Sequence, residues 1–129
     1  MPALLARIAT TPPEDAYFFY PYMPMLSFLS ARQQVSKYEI FVPGYTSPSQ
    51  YQDACISVVR RAAWVVIDRT DSSTLKLIFP AMRDAQPQET RRFERVLDSN
   101  FEFVSQDGAF ELRGCRDVIN DEICAGIAE

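Results

Sequence analysis

The chain has 129 residues, 47% hydrophobic and 12% aromatic, with 13 basic against 17 acidic side chains and a net charge of −4. This suits one domain spanning residues 1–129, able to bury roughly two thirds of its unfolded surface, so that neither disulfides nor metals are needed to stabilise a core. The acidic balance argues against nucleic acid or an anionic membrane as a general partner, and the lack of histidine removes His-dependent nucleophilic catalysis and His-ligated metal sites.

The opening stretch lacks the basic segment and long apolar core of a secretory signal. No window approaches the ~20 apolar residues of a membrane helix. Leu4, Leu5 and Ile8 fall at helical spacing, and Thr10-Thr11-Pro12-Pro13 ends that helix. Ala16 to Tyr20 is an unbroken apolar run, closed by Pro21, and reads as a strand buried on both faces. Pro24 opens a helix carrying Met25, Leu26, Phe28 and Leu29. After a polar loop over Arg32 to Ser36, Tyr38 to Val42 reads as a second strand, stopped by Pro43-Gly44.

Ser47, Pro48 and Gln50 form a capping-box pattern. Tyr51, Ala54, Cys55, Val58 and Ala62 then make one apolar stripe, and Arg60-Arg61 suits the negative end of the helix. Ala63 to Asp68 is a third apolar strand. A helix from Asp71 or Ser72 through Phe79, a loop over Met82 to Pro87, and a helix over Gln88 to Ser99 follow. Phe101 to Val104 alternates as a strand, Gln106-Asp107-Gly108 turns, and Ala109 to Arg113 returns. Arg116 to Glu129 is a weak helix or a frayed tail. The alternation predicts an α/β domain: a three-layer, mostly parallel sheet with helices on both faces and a C-terminal antiparallel β-hairpin.

In a parallel sheet, ligands bind beyond the carboxyl ends of the strands. Those ends carry Tyr20, Tyr22, Tyr45, Ser47, Asp68 and Arg69, a set suited to a sugar or polar headgroup. The bland alternative is that the tyrosines cover the core edge and Asp68 caps the next turn. The first strand is followed by Tyr20-Pro21-Tyr22-Met23-Pro24, which has no glycine to admit a phosphate, so a dinucleotide cofactor is not expected. Glu14-Asp15 and Asp121-Glu122 are adjacent pairs rather than acids held across a substrate, so no catalytic residue is assigned. Arg91, Arg92 and Arg95 alternate with acids as a solvated face does. The three cysteines fit no zinc or redox spacing, and Cys55 is expected as a buried thiol. Cys115 and Cys124 can bridge in an oxidising compartment or stay as thiols; both remain open.

The string from Ala16 to Arg32, followed by Lys37-Tyr38, Pro43-Gly44-Tyr45 and Ala63 to Asp68, resembles the soluble C-terminal domain of bacterial polytopic membrane glycosyltransferases of the mannosyltransferase-like kind. The likeness covers roughly residues 10 to 113. It departs at Ala31-Arg32-Gln33-Gln34, where such domains more often carry glycine before the arginine. The resemblance implies a piece of a larger membrane protein that uses a lipid-linked sugar donor, with the catalytic acids elsewhere in that protein. This domain would then be a non-catalytic accessory on the extracytoplasmic, periplasmic face of the inner membrane. Its partners would be the membrane-embedded part of the same chain and a lipid-linked sugar or glycan acceptor. A Cys115–Cys124 disulfide would fit that location. The competing readings are a free-standing cytoplasmic domain that binds a small ligand, and a protein-interaction module.

Overall fold

A computed structural model describes residues 2–43, 45–69, 86–115 and 119–129. In chain order the elements are helix α1 (Pro2–Ala9), strand β1 (Tyr17–Tyr20), helix α2 (Pro24–Ser30), helix α3 (Pro48–Arg61), strand β2 (Trp64–Asp68), helix α4 (Gln88–Asn100), strands β3 (Phe101–Asp107) and β4 (Phe110–Cys115), and a terminal 3-10 turn (Asp121–Cys124). The helix expected through Phe79 and most of the following loop lie outside the described residues.

The sheet corrects the expected arrangement. Its order is β1-β2-β4-β3, and only β1 and β2 run parallel. β2 pairs antiparallel with β4, and β4 with β3, so the sheet is mixed and mostly antiparallel rather than a mostly parallel three-layer sandwich. The physical reason lies in the hairpin. Gly108 takes the positive φ of +60° that a two-residue connection needs, and β4 then folds back between β3 and β2.

β1 is buried along its whole length. Its even side chains Phe18 and Tyr20 join Val65 and Ile67 of β2 under α3 and α4. The odd ones, Tyr17 and Phe19, join Val66 and Leu112 with Leu4, Ile8 and Leu26 from α1 and α2. α3 begins as its sequence dictates: Ser47 Oγ accepts the Gln50 N–H at 3.2 Å, and Gln50 Oε1 accepts the Ser47 N–H at 2.9 Å.

The expected strand over Tyr38 to Val42 does not form; there, only Ile40 makes an isolated bridge, to Tyr22. A side chain occupies the β1 edge instead. Gln34 Oε1 accepts the Phe19 N–H at 2.7 Å, and its Nε2 donates to the Phe19 carbonyl at 3.0 Å. The amide thus satisfies the pair of backbone groups a neighbouring strand would have taken, and the edge closes without a strand.

Arg32 ties the turn after α2 to the segment before β1. Its guanidinium donates to the carbonyls of Pro12, Asp15, Thr11 and Ile8 and lies 5.1 Å from the Tyr17 ring centroid. To aim it there, Ala31 adopts a left-handed backbone with φ of 58°, its N–H donating to the Phe28 carbonyl. A Cβ is disfavoured in that conformation, which a glycine would adopt without strain. Ala31→Gly is expected to raise stability by up to about 1 kcal/mol, read as a higher urea midpoint. A lower midpoint would show that the left-handed backbone costs this chain nothing.

The cysteines also depart from expectation. Cys124 is bonded to Cys55 of α3, not to Cys115, across a sequence separation of 69. Both bonded residues are fully buried, whereas Cys115 sits exposed at the end of β4. The tail therefore docks: Ile127 is buried, Arg60 pairs with Asp121, and the Ala128 N–H donates to Gln52 Oε1 at 3.0 Å.

Candidate functional site

The parallel register of β1 and β2 brings Tyr20 alongside Ile67, so Tyr20, Asp68 and Arg69 share one end of the sheet. There α4 meets them with two carboxylates one turn apart. The Tyr20 hydroxyl donates to Glu94 Oε2 at 3.0 Å, and Arg69 Nη2 donates to Asp98 Oδ1 at 2.7 Å. Tyr20 is almost fully buried among Phe18, Phe41 and Phe93. Burial first, and then the negative charge of Glu94, push its phenol well above the ordinary range. It serves the core.

Arg69 also donates through Nε to Glu111 Oε2, while Arg113 Nη2 reaches Glu111 Oε1 at 3.1 Å. Burial opposes ionisation of Glu111, but the two guanidinium groups win and hold its carboxyl below the usual value. The network ties β2 and β4 to α4. Asp68 sits opposite Phe110 in the sheet.

The other three residues fall elsewhere. Ser47 spends its hydroxyl and N–H on the α3 cap, and Tyr22 is exposed just before α2. Tyr45 is exposed on the loop before α3, and of the six expected residues it alone lines a surface groove beside α2. The structure thus does not gather the strand-end set into one crevice.

That groove has a volume of about 790 Å³ and is bounded by Ser27 of α2, the segment from Gln33 to Val42, Tyr45, Thr46 and Gln50. Its wall is held in place by backbone bonds: the Val35 N–H donates to the Tyr17 carbonyl at 3.0 Å and the Phe41 N–H to the Pro21 carbonyl at 3.0 Å. Thr46 Oγ1 accepts the Val42 N–H at 2.9 Å and closes the loop. The Tyr38 hydroxyl donates to Asp53 at 3.3 Å, and Lys37 lies 3.7 Å from the same carboxylate.

The lining is amide, hydroxyl and phenol with one ammonium, one carboxylate, Glu39, and the aliphatic side chains of Ile40 and Val42. Behind the wall, burial pushes the Tyr51 phenol up to about 12; it lies fully buried near the Thr46 and Thr90 hydroxyls, outside full hydrogen-bond geometry. Sequence reading placed Gln33, Gln34 and Ser36 in a plain polar loop and Tyr38 to Val42 in a strand. No residue pattern marked them as one wall, because an amide side chain rather than a strand ladder assembles it.

Among the described residues, no group of three or more Cys, Asp or Glu is placed to hold a metal, and no helix is long and apolar enough to cross a membrane. No protein-family model, curated protein or solved structure matches the chain.

Proposed function

We propose that this chain is an accessory, non-catalytic extramembrane domain of a membrane glycosyltransferase that uses a lipid-linked sugar donor, and that it positions the glycan acceptor or the donor headgroup. The observation that carries this reading is the groove between α2 and α3. Sugars present many hydroxyl groups and flat apolar faces. Gln33, Ser36, Glu39 and Thr46 offer donors and acceptors to the former, and Tyr38 and Tyr45 offer rings to the latter. The resemblance of Ala16 to Arg32 points the same way. A buried disulfide suits an oxidising, extracytoplasmic location.

Calorimetric titration of the isolated chain with soluble oligosaccharides and a short-chain polyprenyl-phosphate sugar tests this. Saturable binding without sugar transfer is the expected result. Tyr45→Ala should weaken binding about tenfold, equivalent to ~1.4 kcal/mol. An isotherm that Tyr45→Ala leaves unchanged would remove the groove from the function, and turnover by this chain alone would end the accessory reading.

A further inference from the structure

Six of the eight large apolar side chains exposed among the described residues come from residues 22–45: Tyr22, Met25, Phe28, Leu29, Ile40 and Tyr45. Met25, Phe28 and Leu29 stand at i, i+3 and i+4, so they share one face of α2, while Leu26 alone is buried. Phe28 is 79% exposed and Met25 62%. Tyr22 bridges to Ile40, and Ile40 and Tyr45 line the groove together with Ser27 of α2, so the groove adjoins this helix.

We infer that this face of α2 inserts into the headgroup region of a lipid bilayer. Two observations select a bilayer over a second protein surface. Charge is the first. The chain carries −4, yet Glu39, exposed beside the groove, is the only carboxylate between Ala16 and Gln52, so insertion of the α2 face brings no acidic side chain of α2 itself into the headgroups. Size is the second. A stable protein interface commonly uses about 20–30 residues a side, whereas this face is a projecting two-turn helix with a handful of large side chains. An aromatic and aliphatic wedge of that size suits reversible interfacial anchoring. The binding is driven by apolar burial, so zwitterionic lipid suffices and salt has little effect. Insertion brings the groove mouth to headgroup level.

The inference stands on exposure and charge, not on the glycan reading. The test is co-flotation of the whole chain with phosphatidylcholine vesicles at low and high salt. Wild type is expected to float at both, and Phe28→Ser with Leu29→Ser should cut the partition coefficient at least about tenfold. Both side chains are solvent-exposed, so the urea midpoint should not move; Met25→Ser serves as a second variant if it does. Failure of the wild type to float, or equal flotation of the variants, overturns the inference. So does a concentration-dependent dimer in light scattering, without vesicles, that the same variants abolish. Neither outcome depends on Tyr45 or on sugar binding.

Discussion

Replacing Cys55 and Cys124 together by alanine is expected to cost about 2–4 kcal/mol and to loosen the C-terminal tail. The bond joins residues 69 apart, with Cα atoms separated by 5.8 Å, so it removes much of the unfolded chain's freedom. It also fastens the terminal turn to α3, where Ile127 and Cys124 complete the core beside Val58, Val59 and Val96. Among the described residues the surrounding polar ties are few and at the surface: Arg60 with Asp121, Arg92 with the Gly126 and Glu129 carbonyls, and the Ala128 N–H with Gln52. Surface pairs of this kind contribute little by themselves, so the tail should fray once the sulfurs part. Urea denaturation with and without reductant measures the loss. The reduced wild type should approach the double variant, and Cys115→Ala should track the wild type. Equal midpoints for oxidised and reduced wild type would show that the bond contributes nothing.

What the sequence made legible was what neighbouring residues decide. The capping box at Ser47, the proline at the start of α2, the fully buried run of β1 and the apolar stripe of α3 are local patterns, and each appears in the structure. The hairpin turn was legible for the same reason. Pairings across the chain were not. Strands separated by helices suggest a parallel sheet, but only β1 and β2 realise it, because the hairpin returns β4 to β2. The strand expected at Tyr38 was displaced by the amide of Gln34, a long polar side chain whose backbone-like role no periodicity reveals. Met25, Leu26, Phe28 and Leu29 were read together as the apolar residues of α2, yet only Leu26 meets the core, and the residue order alone does not decide which. The strand-end residues were read as a sheet end, and Tyr20, Asp68 and Arg69 do share one, but α4 carries Glu94 and Asp98 into that space. The groove lies between α2 and α3, where of the expected residues only Tyr45 pointed.

Phe93→Ala should be the most damaging single substitution, at about 3–5 kcal/mol. Phe93 is fully buried on α4, and four aromatic rings surround it: Phe18 and Tyr20 of β1, Tyr51 of α3, and Phe41 of the groove wall. Its centroid lies 5.4–5.8 Å from each, and the Phe41 ring stacks at an interplanar angle of 13°. These spacings add aromatic pair energy to the area it buries. Truncation would leave a cavity whose walls come from three different elements, and rigid β1 cannot move inward to fill it. Phe93→Leu keeps most of the volume and should cost less than half as much, which separates lost packing from lost α4 structure. The effect should also reach the groove. Phe41 holds the wall segment through this stack and through its N–H bond to the Pro21 carbonyl, so removing one support should weaken ligand binding before the protein unfolds. Denaturation of both variants, with oligosaccharide titration of the folded Phe93→Leu protein, reads these effects in turn. A loss below about 1 kcal/mol for Phe93→Ala would mean that the aromatic cluster does not hold the sheet to α4. A stability loss with unchanged groove affinity in Phe93→Leu would mean that the wall is fixed by the Gln34 amide and its backbone bonds alone.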